Sequence, residues 1–186
     1  MIAELIKEHT HTHHQALEAS MVRRIKAIAA PEDYVTLLQI FYSYFGGLEK
    51  QIKLSIAGTL PDLEQRRKAD DLAKDIQHFG GSIPTLAEGK DLPEMTTPLQ
   101  AMAALYVIEG STLGGIYISK MIAKQLNIED GEGLRFFNGY GEQTQQKWEK
   151  FKTIFNALPQ NEEEQQQMIA TADDTFLKFK LWMDKW

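Results

Sequence analysis

The sequence predicts an all-α fold, a single-domain helical bundle, on three observations. No stretch alternates apolar and polar residues with the period of a half-buried strand. Apolar side chains instead recur at spacings of three and four through most of the chain. Prolines fall between those periodic stretches, where they close one helix or open the next. At 186 residues, 43% hydrophobic and 25% charged, the chain is long enough to bury a full core. It shows no repeat, low-complexity tract or composition shift, so residues 1–186 are expected to form one domain.

The first helix is expected from Ile2 to about Ala29, with Ile2, Leu5, Ile6, Leu17, Met21, Ile25 and Ile28 along one side. Pro31-Glu32-Asp33 opens the second, its acids placed at the positive end of the helix dipole. Tyr34, Leu37, Leu38, Phe41, Phe45, Leu48 and Ile52 give that helix the cleanest period in the chain, and Gly58 and Pro61 break it. A more polar helix follows from about Asp62 to His78, then a loop rich in Gly, Pro and Thr from Gly80 to Pro98. Thr96-Thr97-Pro98 supplies a cap and a first-turn proline for a central apolar helix, Leu99 to Met121. Asn127 to Tyr140 reads as an ordered loop packed on the core through Leu134, Phe136 and Phe137. Glu142 to Leu158 carries Trp148, Phe151 and Phe155 on one face, and Pro159 ends it. The last helix, from about Asn161 to Lys185, repeats Ile169, Ala172, Phe176, Phe179, Met183 and Trp186.

Composition excludes several function classes. A net charge of −6 argues against nucleic acid or an anionic membrane as partner. The absence of cysteine removes disulfides, thiolate metal sites, thiolate-ligated heme and cysteine nucleophiles together. The N-terminus alternates charged with apolar residues and lacks a signal-peptide core, so a cytoplasmic location without membrane insertion is expected. Ser111 has no preceding strand and turn of the kind that presents a nucleophilic serine, and no phosphate loop is present.

One stretch breaks the helical rules. Within the apolar central helix stand Gly110, Gly114 and Gly115, each costing about 1 kcal/mol relative to alanine. Gly110 and Gly114 share a helix face and Gly115 adjoins it, leaving a strip free of side chains on which a planar ligand can lie. A kink there is one reason for such glycines; close packing of two helices is the competing one. A membrane-spanning dimer face is the weaker alternative, because Gln100, Glu109 and the Ser111/Thr112 pair interrupt the run.

Four of the five histidines, His9, His11, His13 and His14, fall within six residues of the first helix. Most histidines in such a cluster are exposed or hydrogen-bonded structural groups. His14 has one added feature: Glu18 lies one turn on, where its carboxylate can accept from Nδ1 and leave Nε2 for a metal. A carboxylate-bridged dimetal site is the rival chemistry in a helical bundle, from Glu8, His11 and the looser Asp75/His78 pair.

His14-Gln15-Ala16-Leu17-Glu18, then Gly110-Ser111-Thr112-Leu113-Gly114-Gly115, then Gly131 to Phe137, then the Trp148 to Asn156 helix follow one another in an order that resembles a heme oxygenase. The likeness is to the bacterial enzymes associated with bacteriophytochromes, and it spans nearly the whole chain. It implies heme, at once cofactor and substrate, clamped between the first helix and a glycine-kinked distal helix, with His14 on iron and Glu18 as the family's acid one turn later. The distal glycines match Gly110, Gly114 and Gly115. Lys7 and Lys152 match basic residues that meet the heme propionates, with Lys152 where an arginine is frequent, and Phe176 matches a pocket aromatic. The activity implied is opening of the ring to biliverdin with release of carbon monoxide and ferrous iron, using dioxygen and an external electron donor such as a ferredoxin or reductase. Many members carry an aspartate after the first distal glycine to order the waters that deliver protons; here that position is Ser111, a poorer proton relay. A heme carrier or sensor without efficient turnover, and a heme-free dimetal enzyme on the same fold, are the alternatives.

Overall fold

The structure, a computed structural model, describes residues 1–56, 59–66 and 68–186. Its helices are α1 (Ile2–His9), α2 (His11–Ala27), α3 (Pro31–Ser55), α4 (Ala69–His78), α5 (Pro98–Leu126), α6 (Arg135–Asn138), α7 (Thr144–Asn156) and α8 (Glu162–Lys185). No strand occurs among the described residues. The expected break at Gly58 lies outside them.

Helix α3 anchors the core because its apolar period fills its inner face with large side chains. Tyr34, Leu37, Leu38, Phe41, Phe45, Leu48 and Ile52 are all buried. Tyr44 stacks on Phe179 of α8 with ring centroids 4.6 Å apart and planes 7° off parallel. Phe41 meets the same ring edge-on at 5.0 Å. At its N-terminus Asp33 Oδ2 accepts from the backbone N–H groups of Ala29 (2.9 Å) and Ala30 (3.0 Å), turning the chain into the helix.

Four elements differ from the sequence reading. The first helix opens at the buried Thr10 (φ −88°, ψ 1°), which separates α1 from α2. The polar helix begins at Ala69 instead of Asp62, because Asp62 and Arg66 turn inward to a buried ion cluster and hold the chain there as a short 3-10 turn, Leu63–Gln65. Helix α5 runs on to Leu126, closed by Asn127 in the left-handed region (φ 53°). Trp186 lies beyond α8 and is 44% exposed, so it does not extend that helix's buried stripe.

The capping reading of α5 holds in detail. Thr97 Oγ1 accepts from the Gln100 N–H at 3.3 Å, and Gln100 Oε1 accepts from the Thr97 N–H at 3.1 Å. After α5 the chain is ordered, as its apolar residues require: Leu134, Phe136 and Phe137 are buried. The buried Asp75 carboxylate accepts from the N–H groups of Arg135 (3.1 Å) and Phe136 (2.9 Å), seating α6 against α4. Burial pushes the Asp75 carboxyl up from its ordinary value, against those two hydrogen bonds.

By length and apolarity α5 is the one helix among the described residues able to cross a membrane, and 56% of its most apolar window is buried inside the fold. That burial follows from Ala101 to Glu109, every one of which is inside.

Candidate heme site

Helices α2 and α5 both lie along α8 and touch each other only sparsely. Two ties fix how the N-terminal segment and α5 run. Tyr106 Oη donates to Ala3 O at 3.1 Å, and Gln125 Nε2 donates to Ile25 O at 3.0 Å. Higher numbers therefore meet higher numbers, and the segments run in the same direction. His14 and Gly114 each stand eleven residues before the Ile25–Gln125 tie, which sets them at one level on facing helices.

At that level the wall of α5 is bare. A Cβ built on Gly114 would meet nothing within 4 Å. Around it the apolar side chains of Leu113, Ile116, Tyr117 and Met121 are at least partly in solvent. Exposed apolar surface grouped on one helix marks a binding face. His14 is half-exposed, and its ring rests on Phe176 of α8 at 4.8 Å between centroids. An imidazole on one side, side-chain-free backbone opposite and an aromatic floor between them suit a flat apolar molecule carrying a metal.

The three glycines do not share one task. Gly110 faces the Trp148 ring, whose Cη2 would lie an ordinary 3.6 Å from an added Cβ. Gly115 is buried against α6, where an added Cβ would sit 2.6 Å from Phe137 O. The expected strip is thus split: close packing explains Gly115, and the open face belongs to Gly114. Ser111 Oγ donates to Ile108 O at 2.7 Å and Thr112 Oγ1 to Glu109 O at 2.6 Å. Hydroxyls bonded back onto the preceding turn tend to bend a helix, and here they lie between Gly110 and Gly114.

Glu18 meets His14, but at the other nitrogen from the one expected: Nε2 lies 3.2 Å from Glu18 Oε1. Side chains on a helix lean toward its N-terminus, so the Glu18 carboxylate reaches back to the far edge of the ring. Presenting Nε2 to a metal requires the ring to turn or Glu18 to swing away.

The two lysines come to a common level. Ala3 N–H donates to Asn156 Oδ1 at 3.0 Å, and α7 runs opposite to α5, since Trp148 meets Gly110 while Phe155 stacks on Tyr106 at 5.0 Å. Lys7 and Lys152 each lie one turn from the Ala3–Asn156 contact on the same side of it. Lys7 is exposed; Lys152 pairs with Glu149 at 2.9 Å and lies over the Trp148 ring.

Behind the distal glycines sits a cluster that sequence reasoning missed. Arg66 Nη1 donates to Glu109 Oε2 at 2.5 Å, Arg66 Nε to Asp62 Oδ1 at 3.1 Å, and Tyr140 Oη to Glu109 Oε1 at 3.0 Å. The side chains of Arg66, Glu109 and Asp62 are 1%, 1% and 5% exposed. Burial works against the Arg66 guanidinium and the Asp62 carboxylate, but each is held charged by its partners, with Lys150 and Lys147 also facing Asp62. The signal was a lone acid, Glu109, in an apolar run, since such a charge must find a partner. Its partner stands 43 positions away, and spacing cannot find it.

The other three histidines of the cluster are accounted for. His9 Nδ1 bonds Leu5 O at 2.8 Å, His11 is exposed, and His13 Nδ1 meets Asp173 Oδ1 at 2.8 Å. Among the described residues no group of three His, Asp or Glu side chains is placed to hold a metal ion. Glu8 is exposed and Asp75 is turned to α6, so the dimetal arrangement finds no support.

The family model for heme oxygenase matches residues 1–185. No curated protein matches the sequence. Among solved structures, the NO- and CO-bound heme oxygenase from Neisseria meningitidis is 22% identical, with a TM-score of 0.84 over 100% of this chain and 91% of its own. The heme oxygenase from Leptospira interrogans is 22% identical, with a TM-score of 0.79 over 100% and 99%. Heme oxygenase 1 from Synechocystis, in complex with heme, is 19% identical, with a TM-score of 0.76 over 99% and 91%.

Proposed function

The chain belongs to the heme oxygenase family, and on that footing we propose that it binds heme between α2 and α5 and opens it to biliverdin. One observation carries the reading: His14 stands level with the open Gly114 across two helices that barely touch, with Phe176 beneath. Bound heme supplies the iron at which dioxygen is activated and is itself the molecule consumed, with carbon monoxide and ferrous iron released and electrons drawn from an outside donor such as a ferredoxin or reductase.

The residues of the chain do the rest. His14 would hold the iron through Nε2, with Glu18 released from that nitrogen and Phe176 against the ring. Gly114, without a side chain, would leave room for a flat ring against the backbone of α5. Lys7 and Lys152, level with each other, meet the two propionates at the mouth. Ser111 holds a distal water; its hydroxyl relays protons less well than a carboxylate. The buried Tyr106 phenol, pushed up to about 12 by desolvation, stays neutral and donates to Ala3 O. We assign the whole of residues 1–186 to this one domain and the protein to the cytoplasm.

Ser111 favours a second reading, a heme carrier or sensor with the same pocket and little turnover. Both readings require heme ligation by His14. Hemin titration of the wild type should give a sharp Soret band that saturates. His14→Ala should lose the histidine-ligated ferric spectrum and regain it with added imidazole. A normal spectrum in His14→Ala without imidazole would remove His14 from the site.

A further inference from the structure

Helix α2 carries two adjacent imidazoles, His13 and His14, at the position where one iron ligand is needed. By local chemistry His13 is the better prepared. The Asp173 carboxylate can only accept, so at 2.8 Å it places the proton on His13 Nδ1 and leaves Nε2 with its lone pair, the form that binds metals. His14 has its Nε2 against Glu18 instead. The two contacts differ in where they lead. Glu18 belongs to α2 and moves with His14, whereas Asp173 belongs to α8 and ties His13 to a different helix. Asp173 also lies one turn from Phe176, the residue under His14, so the two rungs fix neighbouring points of α2 on α8.

Little else does so. Of the 17 residues of α2 only Leu17, Ser20 and Ile25 are buried. Two further hydrogen bonds reach α8: Ser20 Oγ donates to Asp184 Oδ1 at 2.9 Å and Arg24 Nη2 to Met183 O at 2.5 Å. Both lie toward the far end of the helix. Among the described residues the His13–Asp173 rung is the hydrogen bond that ties the His13/His14 end of α2 to α8.

We infer that Asp173 is a positioning residue that selects the iron ligand, holding the His13 ring to α8 by a hydrogen bond so that His14, whose ring nitrogen meets Glu18 of its own helix, faces the heme. This rests on the heme-binding reading above. It is a property of the His13–Asp173 pair and does not follow from His14 and Glu18.

Ferric heme spectra of reconstituted variants test it, since ligation is read directly and without turnover. Histidine ligation should be lost in His14→Ala and regained without imidazole in His14→Ala/Asp173→Ala, where the freed His13 takes the iron. His14→Ala/Asp173→Asn should stay unligated, because the Asn oxygen still accepts from Nδ1–H. Adding His13→Ala to the Asp173→Ala double variant should abolish the regained signal. Added imidazole checks that each pocket is intact. If His14→Ala/Asp173→Ala forms the imidazole complex as well as His14→Ala does, yet remains unligated without imidazole, the inference is overturned and heme binding stands. If His14→Ala keeps histidine ligation by itself, or the wild type binds no hemin, the underlying reading falls and this inference with it.

Discussion

The two halves of α5 are made of similar residues and live in different surroundings. From Ala101 to Glu109 every residue is buried, and the run ends on a carboxylate held by Arg66 and Tyr140. Past Gly110 the same helix exposes Leu113, Ile116, Tyr117 and Met121 and faces α2, which buries few of its own residues. Core packing settles the first half. The second half keeps apolar surface and bare backbone that nothing covers among the described residues, as a helix does when part of its partner is a ligand.

The largest effect should come from the packed half. Arg66→Ala strands the Glu109 carboxylate inside, and unfolding of the heme-free protein by denaturant should show a loss of about 3–5 kcal/mol. A loss under ~1 kcal/mol would mean that this end is no better held than the other. The same cluster has a pH signature. Asp62 is held below its ordinary value, so its contribution is present above about pH 4 and lost as pH falls through the depressed folded-state value. Asp62→Asn should therefore flatten the acid limb of the stability curve.

The glycines sharpen the contrast within a single helix turn. Gly115→Ala forces a methyl onto Phe137 O and should cost about 1–3 kcal/mol. Gly114→Ala meets open space and should stabilise the heme-free protein by up to about 1 kcal/mol through helix propensity. Gly114→Leu should leave the heme-free melt near wild type while expelling heme or blocking turnover. Opposite signs for the two alanine variants are the expected result; equal destabilisation would assign both glycines to helix packing.

The smallest effect belongs to the rim. Lys7→Glu and Lys152→Glu act at exposed or half-exposed groups, where a pair is worth up to ~1 kcal/mol, so each should weaken hemin binding by about fivefold or less. A change in the ratio of biliverdin isomers is the more sensitive readout, because the heme can rotate in its slot. Affinity and isomer ratio both unchanged would separate these lysines from the propionates.

Much of this division was legible in the sequence. The period of Tyr34 to Ile52 located the core helix, and Thr97 with Pro98 located the start of α5, because both signals are local. Gly114 stood out because a bare face within an apolar helix has few explanations. The separate task of Gly115 was not legible, since it depends on a carbonyl 22 positions away. Arg66 and Asp173 were missed for the same reason: a buried ion pair and an interhelical hydrogen bond leave no periodic trace. Likewise the Asp62 to His78 helix was drawn too long, because propensity does not show that Asp62 and Arg66 are drawn into the interior.

Heme opening in the open half of this molecule can be measured directly. The direct measurement is to load the wild type with hemin, add a reductant in air, and follow absorption while extracting the pigment. The account predicts that the Soret band collapses and that biliverdin is recovered, with carbon monoxide released. A Soret band that persists through reduction in air, with intact heme recovered, would contradict it and leave a heme-binding protein that does not turn over.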